Sequence, residues 1–206
     1  MDGISGIIGL GPPKSSTLLS LIGDSTGDPF ISNVFAQNSS IPNFISFILQ
    51  RSESISQAPT AKFTIGEYIT GQEAIADQPK NAVQLLPASS NSSRQHWSIQ
   101  IDDIRGPDNQ SIPFQSTIPH PNINNKPVAV LDSGNSFSQV PSAITDAFYG
   151  RVNGASFDYV ENMWSVPCDQ ELNVSFVIAG VIYPLHSLDL ALLENEDEVN
   201  CWGTVR

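Results

Sequence analysis

The 206-residue chain of 22.2 kDa is 40% hydrophobic and only 15% charged, which is enough apolar material for one large domain or two small ones and argues against a disordered tail. A formal net charge of -12 and an isoelectric point near 4.3 repel a polyanion over most of the surface, so nucleic acid is excluded as a partner. No stretch reaches the roughly 18 apolar residues that a membrane span needs.

The chain opens Met1-Asp2 with no basic leader and no small-residue cleavage pattern, so this sequence is expected to hold no signal peptide. Gly3 to Gly11 is apolar and Gly-rich and is stopped by Pro12-Pro13. Its glycines superficially resemble a nucleotide-binding loop, but no G-x-G-x-x-G precedes a clear helix and no Lys-Ser/Thr follows at P-loop spacing, which argues against phosphate binding. Residues 15–22 and 30–36 have the i, i+4 spacing of short surface helices, the second opened by Asp28-Pro29. Both are expected to pack on a sheet.

Strands are predicted over Asn43–Leu49, Ala61–Gly66, Ala82–Leu86, Trp97–Ile101, Pro127–Leu131, Asn173–Ile178 and Val181–Leu185, the last two joined by the two-residue hairpin signal Ala179-Gly180. Pro141 to Arg151 reads as a helix with Ile144, Ala147 and Phe148 on one face. The stretch Pro87–Gln95 is the most linker-like and is the expected boundary between two lobes, 1–88 and 89–206. Glu194 to Glu198 reads as a solvated acidic loop, because no Gly turn or calcium-loop spacing accompanies it.

Val128-Ala129-Val130-Leu131 reads as a buried strand, and Asp132-Ser133-Gly134 stops it with a carboxylate at the tip of a tight turn. The run restarts at Phe137 and ends at Val140-Pro141. Such an arrangement presents one acid from a rigid support, although a strand followed by an Asx turn has the same sequence. His96, His120 and His186 stand alone, so no metal site is expected, and no Gly-x-Ser-x-Gly elbow supports serine chemistry. Two cysteines, Cys168 and Cys201, are too few for a disulfide scaffold and lack metal-ligand spacing; they fit one bridge in an oxidising compartment or two buried thiols. Four Asn-x-Ser/Thr acceptors, Asn38, Asn91, Asn109 and Asn173, lean toward secretion and are candidate glycosylation sites.

Several separate stretches agree, in order, with one family, and the chain resembles a pepsin-like aspartic protease of the secreted eukaryotic type. Ile7-Ile8-Gly9-Leu10-Gly11 resembles the apolar-apolar-Gly strand of that family's first lobe, Phe63-Thr64-Ile65-Gly66 the strand near the lobe junction, and Trp97-Ser98-Ile99 the entry to the second lobe. Val128 to Ser136 resembles the second-lobe catalytic loop. Val166-Pro167-Cys168, Val174 to Gly180 and Tyr183-Pro184-Leu185 match the region after it.

The resemblance implies a mainly β, bilobal acid-protease fold, here an incomplete first lobe plus most of the second. It implies a catalytic Asp132, a Ser133 hydroxyl that ties two catalytic loops together, and a backbone at Gly134, Asn135 and Ser136 that meets the substrate. It also implies a Cys168–Cys201 disulfide, no cofactor, peptide or protein substrates, a protein inhibitor as a further partner, and a secreted, extracellular or vacuolar full-length protein.

Departures accompany it. No first-lobe Asp-Thr/Ser-Gly occurs; the nearest string, Asp24-Ser25-Thr26-Gly27, has one residue too many and reads as a loop. The family's flap and its last apolar strand have no counterpart, Ser5 stands where an Asp often precedes the first-lobe Gly, and Asn135 replaces the usual Thr or Ser. The expectation is therefore an internal fragment of a protease, inactive alone for want of a second catalytic Asp. The competing expectations are a non-catalytic homologue that binds peptides or an inhibitor, and an unrelated β-sandwich recognition module.

Overall fold

The structure, a computed structural model, describes residues 6–49, 61–82, 96–116, 126–193 and 199–206. Among these residues it is mainly β, with eleven strands and three short α-helices. The chain divides into two compact units, Met1–Lys80 with Pro87–His96 and Asn81–Leu86 with Trp97–Arg206.

In the first unit, helix α1 (Thr17–Ile22) starts where the Ser16 side chain accepts the Leu19 N–H and stops at Gly23 in the left-handed conformation. Helix α2 (Phe30–Gln37) follows Pro29, whose fixed φ sets up a first helical turn. Neither helix fully buries a residue, although Ile31 to Phe35 of α2 are half-buried. Strands β1 (Ile45–Ile48) and β2 (Lys62–Ile65) pair antiparallel, Ile45 opposite Ile65 and Ile48 opposite Lys62. Asp24-Ser25-Thr26-Gly27 is a turn, as predicted: Asp24 Oδ1 accepts both the backbone N–H and the hydroxyl of Thr26, at 2.8 and 2.6 Å. The Thr26 hydroxyl, first, and its N–H hold the Asp24 carboxyl below the usual range. The run Ile7 to Gly11, expected as a strand, is in no strand among the described residues, and Ile7 is 95% exposed.

The second unit holds the core. Three antiparallel sheets surround it. Strand β3 (Ser98–Gln100) pairs with β5 (Val128–Val130). Strand β4 (Asp103–Arg105) pairs with β8 (Val174–Ile178), which pairs with β9 (Val181–Leu185). Strands β6 (Ser156–Asp158), β7 (Met163–Pro167), β10 (Ala191–Leu193) and β11 (Asn200–Gly203) form a sheet in the order β10-β11-β7-β6. The β8–β9 turn is the predicted hairpin, with Ala179 and Gly180 both at positive φ, 50° and 76°, as a two-residue turn matched to strand twist requires.

Helix α3 (Ser142–Tyr149) lies within the predicted span and turns Ile144, Phe148 and Tyr149 into the core with Val166, Leu190 and Val205. Tyr149 is fully buried, and its hydroxyl oxygen accepts the Val205 N–H at 3.1 Å. Gly203 of β11 lies flat against the Tyr149 ring, where any Cβ would collide with it. The disulfide joins Cys168 to Cys201, tying the end of β7 to β11 beside the pairing of Val166 with Cys201. Strands β4, β6, β7, β10 and β11 were not foreseen as strands, because runs such as Ser156–Asp158 are too short for alternation to register. Residues 83–86 of the predicted strand, the linker at 87–95 and the acidic run 194–198 lie outside the described residues.

Candidate active site

The candidate site is built on β5 and the loop that leaves it. Strand β5 is where the sequence places it, but it is not buried as expected: Val130 is 51% and Leu131 56% exposed. Among the described residues β5 pairs on one side only, with β3. The strand also lines a cavity of about 630 Å³ whose apolar lining includes Ile99, Ile101, Val128, Phe176 and Ile178, with Asp132 and Asn135 among its polar members. A β-branched run signals burial in general, but the burial is realised only if a neighbour covers both faces.

Asp132 follows at the end of this half-covered strand and is exposed, as are Ser133, Gly134, Asn135 and Ser136. The turn is closed by Asp132 itself, whose Oδ1 accepts the Gly134 N–H at 2.9 Å while its carbonyl accepts the Asn135 N–H at 3.3 Å. A Cβ at position 134 would stand 3.2 Å from Asp132 Oδ1, so glycine leaves the carboxylate its closest approach to the backbone. Among the described residues the carboxylate is therefore held by one donor, and Asp132 lines the cavity. No hydrogen bond of the Ser133 or Ser136 side chain occurs among the described residues, so the expected tie from Ser133 to a second catalytic loop is not made within them.

Both ends of the loop are fixed by backbone pairing. At the entrance the Leu131 N–H donates to the Trp97 carbonyl at 2.8 Å, extending the β3–β5 ladder by one residue. At the exit the Arg206 N–H donates to the Ser138 carbonyl at 2.8 Å and the Val140 N–H donates to the Arg206 carbonyl at 2.6 Å. The Arg206 guanidinium also sits 4.0 Å from the centre of the Phe137 ring, a cation–π contact. The run that restarts at Phe137 makes a parallel bridge between Ser138 and Val205. Arg206 carried no signal in the sequence, since its part is played chiefly by its backbone.

Asp102 ties the lead into β5 to its neighbours. Its Oδ1 accepts from Lys126 Nζ at 2.8 Å and its Oδ2 from the Gly180 N–H at 3.1 Å, so one carboxylate joins the β3–β4 bend, the lead into β5 and the β8–β9 turn. The Lys126 ammonium, first, and the Gly180 N–H hold the Asp102 carboxyl below the usual range. Burial pushes the Tyr149 hydroxyl the other way, up to about 12, against the smaller opposing effect of the Val205 N–H.

Among the described residues no three or more His, Cys, Asp or Glu converge as metal ligands, and no helix is long and apolar enough to cross a membrane. Of the predicted acceptors, Asn38, Asn109 and Asn173 are exposed, and Asn91 lies outside the described residues, as does His120.

The fold and the loop together define a β-rich scaffold that offers one carboxylate on a glycine turn at the edge of an apolar cavity. The chain belongs to the eukaryotic aspartyl protease family, whose model matches residues 2–206. It is 31% identical over 74 residues to a probable aspartic-type endopeptidase of Arthroderma benhamiae, a match that spans 36% of this chain and 20% of that protein. It is 28% identical over 116 residues to a putative aspergillopepsin A-like aspartic endopeptidase of Aspergillus fumigatus, spanning 56% of this chain and 24% of that protein. The crystal structure of an aspartic proteinase from Irpex lacteus superposes with a TM-score of 0.63 at 18% identity, covering 100% of this chain and 58% of that one. The bilobal pepsin-like fold expected from the sequence is borne out by that likeness. The chain accounts for little more than half of the solved protein it resembles.

Proposed function

We propose that the protein is an aspartic-type endopeptidase and that Asp132 is one of its two catalytic carboxylates. The observation that carries this is the placement of an exposed Asp132 carboxylate on a turn pinned at both ends, at the rim of an apolar cavity, in a chain of this family. In the proposed reaction two carboxylates share one proton and hold a water between them. The ionised one takes a proton from the water as the water's oxygen bonds to the peptide carbonyl carbon, the protonated one stabilises the oxyanion, and the pair returns a proton to the amine as the C–N bond breaks and the amine leaves with its electron pair. Like charges that close do not both ionise, so the pair works in acid.

Gly134, Asn135 and Ser136 are assigned the backbone contact with an extended peptide, and Ser133 the link to the partner loop. The lobes are assigned to 1–88 and 89–206, and the protein to a secretory, oxidising route. A disulfide-bonded pair and an acidic composition support that route.

One Asp-Ser-Gly occurs in the sequence and no second Asp-Thr/Ser-Gly, so the 206-residue chain by itself is expected to bind peptides weakly and not to cleave them. A chimera that adds the first-lobe catalytic segment and the last strands of a full-length relative, assayed on a denatured protein at acid pH, is expected to cleave, and its Asp132→Asn variant to lose activity by several powers of ten. Cleavage by the chimera that survives Asp132→Asn would sink the assignment. The same single acid favours a second reading, a peptide-binding homologue without turnover; a well-folded chimera that binds peptide and fails to cleave would establish it.

A further inference from the structure

We propose that Asn38 is an N-glycosylation site that remains modifiable in the folded protein, whereas Asn109 and Asn173 accept a glycan only before their segments fold. The inference rests on the secretory route proposed above and is independent of whether Asp132 is catalytic. The chemistry requires a lipid-pyrophosphate-linked oligosaccharide. Asn Nδ2 bonds to the anomeric carbon, the bond from that carbon to the pyrophosphate oxygen breaks, the lipid pyrophosphate leaves with the electron pair, and the amide loses one proton. A transferase must reach both the amide and the hydroxyl two residues on, so the segment has to be drawn off the protein without breaking the fold.

Asn38-Ser39-Ser40 meets that requirement. All three residues are exposed just beyond α2, and Asn38 Oδ1 accepts both the hydroxyl and the N–H of Ser40, at 2.6 and 3.2 Å. The acceptor hydroxyl is therefore bonded within its own triplet, and among the described residues lifting the triplet away breaks no side-chain bond to another element. The other two triplets are built into the second unit. The Ser111 hydroxyl donates to Asp103 Oδ1 at 2.6 Å, Ser111 bridges to Arg105, and Ile112 beside it is 3% exposed. Asn109 itself sits at φ 59°, its N–H bonded to the Gly106 carbonyl. Asn173 is exposed, but Val174 and Ser175 are 6% and 9% exposed and belong to β8, the central strand between β4 and β9. Reaching Ser175 means pulling that strand from its sheet, whose opening is as rare as unfolding of the core it belongs to.

The test uses the oxidised, folded chain with Asn91→Gln from a host that adds no glycans. It is incubated with an oligosaccharyltransferase and lipid-linked oligosaccharide, beside the same chain reduced and unfolded, and both are read by peptide mass spectrometry. The folded chain is expected to gain a single glycan, at Asn38, lost in Asn38→Gln; the unfolded chain is expected to be modified at Asn38, Asn109 and Asn173. Occupancy of Asn109 or Asn173 in the folded chain at a level equal to Asn38, or an unmodified Asn38 in both states, would overturn the proposal.

Discussion

Ile7 and Val166 are both β-branched residues in apolar stretches, yet Ile7 is 95% exposed and Val166 is fully buried. The contrast holds across the two units. Of the buried hydrophobic residues described, only Ile69 belongs to the first unit, while the connected core runs from Ile99 to Val205 in the second. Both units have the apolar content, the turns and the short elements of a folded protein. What separates them is closure: in the second unit α3 and the three sheets face one another, and a disulfide and a buried tyrosine join the last strand to the rest. In the first, two helices and a two-stranded sheet leave Leu18, Leu21, Phe30, Phe47 and Phe63 exposed. A two-stranded ribbon is marginal without a covering layer.

The largest expected effect tests that contrast directly. Phe148→Ala removes a ring that is 2% exposed and should destabilise the second unit by about 4 kcal/mol, whereas Ile8→Ala, at 63% exposure, should stay within about 0.5 kcal/mol. Urea unfolding followed by Trp fluorescence reads the second unit, and hydrogen exchange reads both, with slow amides expected only in the second. Equal protection in the two units would break the comparison.

Next in size is the disulfide. A loop of 33 residues should contribute roughly 3.7 kcal/mol on the chain-entropy argument, so replacing Cys168 and Cys201 with Ser should lower the urea midpoint sharply. An unchanged midpoint would mean that the β11–β7 pairing needs no covalent support.

Tyr149→Phe is expected to cost about 1 to 2 kcal/mol at neutral pH, because the buried Val205 N–H loses its acceptor. It also sharpens the alkaline limit. The Tyr149 hydroxyl, raised by burial from 10.0 to about 12, must stay neutral in the folded state. Its contribution is therefore complete below pH 10 and is lost as pH rises toward 12. Wild type should lose stability across that window, and Tyr149→Phe should lose less; parallel curves would show that another group governs it.

The smallest effect belongs to Asp102, whose carboxylate is 31% exposed and whose Lys126 partner is 46% exposed. Asp102→Asn should reduce stability at neutral pH by no more than about 1 kcal/mol. Because the folded carboxyl titrates below its unfolded value, that contribution is present above about pH 4 and fades as pH falls through the folded value. The gap between wild type and variant should therefore close in acid, and a gap that widened would have the wrong sign.

What is local was legible in the residues alone. Asp132 and Gly134, two residues apart, close their own turn; Ala179-Gly180 makes its hairpin; and the apolar spacing of Ile144 and Phe148 marks the buried face of α3. Each depends on bonds or periodicities spanning a few residues, which any copy of the segment would carry. Ordered motifs such as Val128 to Ser136 and Val174 to Gly180 also made the family legible, though not the packing. Pairing between distant segments set the rest: β5 is half exposed, Arg206 clamps the exit of the Asp132 loop, short runs such as Ser156–Asp158 are strands, and the Tyr149 hydroxyl accepts the Val205 N–H. These features join residues tens of positions apart. A strand of three residues or a lone backbone acceptor has no pattern of its own until its partner is in place.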